Sequence, residues 1–245
     1  MKLGFNVKIV YSGEKNIEIY HYSKPIVLGR VTNETGKNKD GAGDKENIKR
    51  TSLHNTRTKL MRLINSNKWN YFITLTYAED FEIKDTKKHL QNLFKQLRRS
   101  YGKVEYVYVH ELTKRGRVHH HVLMQIDIGV IEDMRDYERF FHKRYWKYGW
   151  VKIKPITSDK PIAGYLCKYL TKDLCIDTDC NKYGRSRDLK EPVEVRMFNT
   201  EYLEALKDLN MEVQYTNSYQ INYENTNNTV TYISGVLKEN ENENK

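Results

Sequence analysis

The order of apolar patterns along the chain predicts an α+β fold: a ferredoxin-like split βαβ unit on a central antiparallel sheet, with appendages at both termini. Two observations carry this prediction. Between residues 70 and 174, strand-like and helix-like apolar patterns follow one another in the order β-α-β-β-α-β. Shorter alternating segments on either side predict a hairpin near the N-terminus and further strands near the C-terminus.

Each element is assigned from its own pattern. A hairpin is predicted over 5–12 and 16–22, and a polar, glycine-containing loop over 33–48 is expected to be mobile. The central elements are predicted as helix 50–66, strand 70–77, helix 85–100, strand 104–112, strand 117–126, helix 131–147, strand 150–156 and helix 162–174. Beyond them the patterns predict a helix over 200–208 and strands over 219–224 and 229–234.

These elements divide the chain into four segments. We expect an N-terminal hairpin and loop over 1–49 and a principal domain over 50–180. A C-terminal extension of helix and strands over 181–238 follows, and the tail over 239–245 contains only Asn, Glu and Lys and is expected to be disordered.

Composition points to an anionic partner and away from a membrane. The net charge is +10 and the pI is about 9.2. No apolar run approaches the roughly 20 residues of a membrane span, and the N-terminus lacks the apolar segment of a signal peptide. Three cysteines without a Cys-x-x-Cys pair favour a reducing compartment and disfavour a thiolate zinc site. We therefore expect a cytoplasmic protein.

The segment from Tyr165 to Lys172 places two tyrosines and two lysines on one stripe of a predicted helix. At about 100° per residue, Tyr165, Lys168, Tyr169 and Lys172 share one arc, and leucines with Cys167 fill the opposite one. Tyr165 and Tyr169 are i, i+4 neighbours, so both hydroxyls can serve one site. Phenols beside fixed positive charge suit attack on a phosphodiester, because the charge stabilises phenolate and phosphate alike. Taken alone, the stripe also fits an amphipathic helix with solvated tyrosines.

Three successive histidines lie on the strand predicted before this helix. Alternation along a strand puts His119 and His121 on one face and His120 on the other. Two imidazoles at this spacing form half of a divalent-metal site. The preceding strand folds back beside them through a turn, so Glu111 lies near His119 across the hairpin. Its carboxylate suits Mg²⁺ or Mn²⁺.

Neighbouring residues are weaker candidates for the same site. His110 has the opposite parity to Glu111. Thr74 and Thr76 share one strand face and would line the site, although packed strand positions are the commoner role of such residues. A His-x-His pair alone is more often structural, and it is Glu111 and the tyrosine stripe that favour a metal.

Three blocks, in this order, resemble the HUH endonucleases and, within that superfamily, the rolling-circle replication initiators (Rep proteins) of small bacteriophages and plasmids. Residues 72–77 resemble the first Rep motif, a strand of the central sheet. Residues 116–124 resemble the metal motif, and residues 165–172 resemble the third motif in its two-tyrosine form, as in the microvirus type. The resemblance covers about residues 50–175 and implies the HUH endonuclease fold.

The resemblance implies a metal-dependent, site-specific DNA endonuclease and strand transferase with a tyrosine nucleophile. Such an enzyme nicks single-stranded DNA at a replication origin and rejoins it through a 5′-phosphotyrosine intermediate, while the free 3′-hydroxyl primes a polymerase of the bacterial host. His119, His121 and Glu111 would hold Mg²⁺ or Mn²⁺. Both motif tyrosines belong to a Tyr-x-x-Lys pattern, and Tyr169 is preferred as the first nucleophile because Lys172 ends the motif.

The implied partner is single-stranded DNA, held by basic residues near the motifs with salt-sensitive affinity. These residues are Arg98, Arg99, Lys114, Arg115 and Arg117. No Gly-x-x-x-x-Gly-Lys-Ser/Thr run occurs, so we expect unwinding by a host helicase or a supercoiled origin. The alternatives are a transposase or relaxase of the same superfamily, a non-catalytic DNA-binding repressor, and an RNA-binding sheet protein. The modest length and the tandem Tyr-x-x-Lys favour the initiator.

Overall fold

The computed structural model describes residues 4–27, 42–113, 116–157, 161–170, 183–198, 209–223 and 226–238, without the side chains of 42–49, 83, 222–223 and 226. Two compact units emerge: a central unit of residues 41–189, and a terminal unit that combines residues 1–40 with 190–245. Each contains one five-stranded antiparallel sheet, which confirms the α+β class. No helix within the described ranges is long and apolar enough to cross a membrane.

The elements follow one another in chain order as β1 (Gly4–Ser12), β2 (Asn16–Val27), α1 (Ala42–Asn65), β3 (Tyr71–Thr76), α2 (Ile83–Tyr101), β4 (Val104–Leu112), β5 (Val118–Ile126), α3 (Met134–Arg144), β6 (Val151–Pro155), α4 (Ile162–Cys167), β7 (Tyr183–Arg185), β8 (Val193–Met197), β9 (Met211–Tyr223) and β10 (Thr226–Leu237).

The central sheet has the strand order β6-β3-β5-β4-β7, and every neighbouring pair is antiparallel. The strand that carries the three histidines, β5, is therefore the middle strand. Strands β3 and β4 run in the same direction with β5 between them, because the connection through α2 returns the chain on the far side of β5. Every element predicted between residues 50 and 167 is present.

Two predicted boundaries are wrong. The helix expected from residue 50 begins at Ala42, so the last part of the predicted loop over 33–48 is helical. The tyrosine helix, expected over 162–174, ends at Cys167. After it the amides of Lys168, Tyr169 and Leu170 bond to the carbonyls three residues earlier, which tightens the chain into a 3₁₀-type turn. Residues 171–174 lie outside the described part.

Each face of the central sheet is covered by a different pair of helices. On one face α2 buries Leu90, Leu93, Phe94 and Leu97, an i, i+3, i+4, i+7 stripe, and α3 adds Phe141. On the other face α1 and α4 form a second core with Phe72 of β3 and Leu123 of β5. We call the second one the tyrosine face, because Tyr165 and Tyr169 lie on it.

A buried polar network lies on the face covered by α2 and α3. The Nδ1 atoms of His110 and His120 are 2.9 Å apart, and His120 Nε2 lies 3.3 Å from the hydroxyl of Tyr77. His89 Nδ1 contacts the same hydroxyl at 3.2 Å. Burial, with a smaller contribution from Lys87, lowers the pKa of His110 to about 4, and burial also lowers that of His120. Both imidazoles are therefore neutral members of the core at pH 7.

The terminal unit joins strands from both ends of the chain. Its order is β8-β1-β2-β10-β9, and β2 pairs with β10 along seven residues of each strand. Its core contains Val7, Ile9, Ile17 and Ile19. The predicted hairpin and both predicted C-terminal strands are present, and each of these strands is as long as predicted or longer. The helix predicted over 200–208 and the tail over 239–245 lie outside the described residues.

We expect Tyr77→Phe to destabilise the central unit. The substitution keeps the ring but removes a buried hydroxyl that His89 and His120 both contact. The free energy of unfolding should fall by about 1–3 kcal/mol, as is typical when buried polar groups lose a partner. Urea-induced unfolding followed by circular dichroism measures the change.

The matched control is Tyr106→Phe. Tyr106 is a half-buried tyrosine on the same sheet face, and its ring stacks on Phe94 at 3.5 Å between centroids. A loss of stability equal in the two variants would contradict a special role for the Tyr77 hydroxyl.

Candidate active site

A tight turn between β4 and β5 sets the register of the two strands that carry the polar residues. The amide of Gly116 donates to the carbonyl of Thr113 at 2.8 Å, and the amide of Thr113 donates to the carbonyl of Arg117 at 2.9 Å. Gly116 has a φ of 79°, a left-handed conformation that glycine adopts without steric cost. The turn places Glu111 directly opposite His119.

One row of the tyrosine face contains an imidazole–carboxylate pair. His121 Nε2 lies 2.6 Å from Glu111 Oε2, and its Nδ1 lies 3.4 Å from the hydroxyl of Thr74 on β3. His119 occupies the same face two residues earlier and is half-buried, while His110 points into the opposite core as its parity predicts. The structure thus brings both predicted histidines and Glu111 to one face.

The two motif tyrosines lie directly against this pair. The ring of Tyr169 stacks on that of His121 with centroids 3.5 Å apart and planes 18° apart. The Tyr169 hydroxyl donates a hydrogen bond to that of Tyr165 at 3.0 Å. Phe72 packs beneath, with ring centroids 5.1 Å from Tyr165 and 6.4 Å from Tyr169. Two phenols and one imidazole–carboxylate pair therefore form a single cluster.

Helix α1 holds the tyrosine segment in place. Leu166 and Leu170 are buried against the apolar side of α1. Arg57 Nη2 donates to the carbonyl of Leu170 at 2.5 Å, which satisfies an acceptor at the end of the 3₁₀-type turn. The thiol of Cys167 approaches the carbonyl of Arg57 at 3.8 Å, and burial raises its pKa to about 11. Cys167 is therefore a core thiol and not a nucleophile at neutral pH.

The pKa values in the cluster respond first to burial. Burial raises the pKa of the Tyr169 phenol above its usual value, and the neighbouring Tyr165 and Glu111 raise it further. Burial lowers the pKa of His121, although its hydrogen bond to Glu111 acts in the opposite direction. The protein alone thus keeps Tyr169 protonated, so forming its phenolate requires added positive charge or a proton acceptor.

Two imidazoles and a carboxylate are ligands that suit Mg²⁺ or Mn²⁺. In this structure His121 and Glu111 bond to each other, and among the described residues no three His, Cys, Asp or Glu side chains form a group that could hold a metal ion. The donor types on this face fit a divalent metal. Binding one would require the His121–Glu111 hydrogen bond to open.

Positive charge is concentrated in the unit that contains the cluster. Residues 41–189 contain 30 basic and 18 acidic residues, whereas the rest of the chain contains 12 and 14. Any attraction of a polyanion is therefore directed towards the central unit.

The predicted basic residues are distributed unevenly around the cluster. Lys168 is exposed, with Nζ 5.8 Å from the centroid of the Tyr165 ring. Arg117 pairs with Asp80 at 3.3 Å. Arg98 and Arg99 lie on α2, which covers the opposite face of the sheet, so the structure does not bring them to the tyrosines. Lys114, Arg115 and Lys172 lie outside the described residues.

Sequence reasoning missed two contributors to the cluster. Phe72 lies in a quoted motif but was not assigned to the site, and Arg57 was counted only as part of a basic helix. The alternation of β3 contains a signal for Phe72, because it shares a face with Thr74. The contact of Arg57 with Leu170 joins residues 113 positions apart, and the sequence contains no signal for it.

We expect Arg57→Ala to loosen the tyrosine segment. The variant removes a charged donor from the buried carbonyl of Leu170, which should lower the free energy of unfolding by about 1.5–3 kcal/mol. Hydrogen exchange at the amides of residues 168–170 should accelerate. Lys59→Ala, an exposed cation on the same helix, is the control. Equal exchange in both variants would show that Arg57 does not support the turn.

A family model of replication-associated proteins of the ORF2 type matches residues 70–174. This stretch runs from the beginning of β3 to beyond α4 and includes the blocks at 72–77, 116–124 and 165–172. No curated protein and no solved structure matches the chain. The family match supports a Rep-type replication protein that interacts with DNA at an origin.

Proposed function

We propose that the protein is a rolling-circle replication initiator that nicks and rejoins single-stranded DNA at an origin. The observation that carries the proposal is the stacking of Tyr169 on His121, with the Tyr165 hydroxyl 3.0 Å from that of Tyr169. Two phenols thereby lie against a His–Glu pair on the middle strand of the sheet. The strand order β6-β3-β5-β4 supports the ferredoxin-like HUH arrangement, and the family match favours an initiator over a transposase or relaxase.

The chemistry proposed is transesterification at phosphorus. A tyrosine Oη forms a bond to the scissile phosphorus, the bond from phosphorus to the 3′ oxygen breaks, and the phenolic proton is lost as the 3′-hydroxyl gains one. The products are a 5′-phosphotyrosine and a free 3′ end that can prime a host polymerase. Because no water is consumed, attack by a 3′-hydroxyl on the phosphotyrosine reverses the step and joins the strand.

The residues of the cluster divide this work. His119, His121 and Glu111 would hold Mg²⁺ or Mn²⁺, which when bound supplies a Lewis acid for a phosphate oxygen. Phe72 and Arg57 hold the tyrosine segment against the sheet. Lys168, exposed beside Tyr165, would stabilise negative charge on the phenolate or phosphate. A second tyrosine within hydrogen-bonding distance allows a second cleavage before the first covalent link is resolved.

We expect a covalent protein–DNA adduct that requires both metal and tyrosine. Fluorescent single-stranded oligonucleotides from a broad library, incubated with Mn²⁺, should yield a protease-sensitive shifted band on a denaturing gel, and EDTA should abolish it. Tyr165→Phe or Tyr169→Phe should reduce the adduct and the double variant should remove it. Tyr183→Phe, a tyrosine on β7 and outside the cluster, is the control. Tight binding with no adduct in either metal would contradict nicking and favour a non-catalytic repressor.

We also expect His121→Ala and Glu111→Gln to reduce the adduct at least about 10–100-fold at limiting Mn²⁺, the range seen when groups that support a metal are removed. Raising the Mn²⁺ concentration should restore part of the activity of Glu111→Gln, because the two imidazoles remain. His89→Gln, a histidine on the opposite side of the sheet, should keep its metal dependence. Adduct formation that does not respond to Glu111→Gln at any metal concentration would exclude Glu111 as a ligand.

A further inference from the structure

Trp150 is an exposed aromatic side chain that the cluster does not use. It is 64% exposed, whereas Trp146 is fully buried. The third tryptophan, Trp69, is half-buried and donates its indole N–H to the carbonyl of Ile64 at 2.9 Å. An indole buries more apolar surface than almost any other side chain, so one left in water at a defined position is available for a ligand.

The backbone ladder places Trp150 on the tyrosine face. The amide of Thr76 donates to the carbonyl of Trp150 at 2.9 Å, which continues the pairing of β3 with β6 beyond Val151. Thr76 lies opposite His119, and His119 lies opposite Glu111. Residues directly opposite in antiparallel strands share a face. Trp150 therefore begins the row that ends at Glu111, and it lies two strands, or about 10 Å, from His119.

Gly149 holds this part of the chain close to β3. A Cβ atom at Gly149 would lie 2.1 Å from the carbonyl oxygen of Thr76 and 2.6 Å from the amide nitrogen of Ala78. Only glycine permits so close an approach without moving the backbone. The position of Trp150 thus follows from main-chain packing and requires no contact made by its own indole.

Two lysines continue the same edge. Lys152 lies opposite Thr74 and Lys154 lies opposite Phe72, so both project to the tyrosine face about 7 Å apart along β6. Lys152 also reaches Glu138 at 3.2 Å, while its side chain stays 56% exposed. An aromatic side chain followed by two cations at alternate positions matches a chain that presents flat bases and regularly spaced phosphates.

We propose that Trp150, Lys152 and Lys154 form a binding track for single-stranded DNA along β6. An unpaired base stacks on the indole, and the DNA backbone lies along the two lysines towards the tyrosine cluster. The excess of basic over acidic residues in the central unit agrees with this occupant. The link between the track and a scissile phosphate rests on the proposed function, but binding along the track requires no cleavage.

Intrinsic tryptophan fluorescence tests the proposal directly. An oligothymidylate is titrated into the full-length protein in EDTA, so that no metal-dependent cleavage competes with binding. Stacking should quench the fluorescence of the wild type and of Trp69→Phe. Trp150→Phe should bind with nearly unchanged affinity but lose the quenching. Trp150→Ala should bind about 5–150-fold more weakly, the range expected for the loss of one stacked base.

Charge and stacking separate in the salt dependence. Lys154→Gln should reduce the slope of log affinity against log salt by about 0.7, the value for one phosphate contact on single-stranded nucleic acid. Trp150→Ala should leave the slope unchanged. Phe140→Ala, which removes a 48% exposed ring from α3, should bind like the wild type.

Several results would overturn the track. These are quenching that persists in Trp150→Phe, wild-type affinity in Trp150→Ala, equal affinity for duplex DNA, or tighter binding of oligouridylate than of oligothymidylate. The proposed function fails differently, by the absence of a covalent adduct. Loss of quenching in Trp150→Phe without any adduct would keep the track and reject nicking, whereas a normal adduct with persistent quenching would do the reverse.

Discussion

The antiparallel pairing of β5 with its two neighbours is the constraint on which the rest of the central unit depends. Its register places Glu111 opposite His119 and Thr74 opposite His121. Alternation then sends His120 into the opposite core, where it contacts His110 and Tyr77. A slip of one residue would exchange the faces and bury the polar pair beneath α2 and α3. The buried polar network and the candidate active site are thus specified by one hydrogen-bond ladder.

The tyrosines owe their position to packing more than to helix formation. Helix α4 has only six residues, too few for a stable helix by itself, and Tyr169 lies in the turn after it. Leu166 and Leu170 anchor this segment against α1, and Arg57 satisfies the last described carbonyl. Because both aromatic rings then lie on Phe72 and His121, a change in the α1 contacts would move the phenols relative to the histidine strand.

Much of the central unit could be predicted because its signals are local. The apolar stripe of α2 and the alternation of β4 and β5 reveal element type, and parity alone separates His119 and His121 from His110 and His120. Strands β7 and β8 were missed because β7 has three residues and every residue of β8 is at least partly exposed. Their pairing with β4 and β1 makes them strands, and that pairing joins distant parts of the chain.

The sequence by itself determined the fold class, the order of the central elements, and which residues of the histidine and tyrosine motifs share a face, since these follow from periodicities of two and 3.6 residues. Only the tertiary structure decided that Glu111 bonds to His121, that Tyr169 stacks on that imidazole, and that Trp150 begins the same row. The union of both chain ends in one sheet was decided there too. These contacts depend on strand order and helix packing between residues far apart in the chain, and no local pattern encodes them.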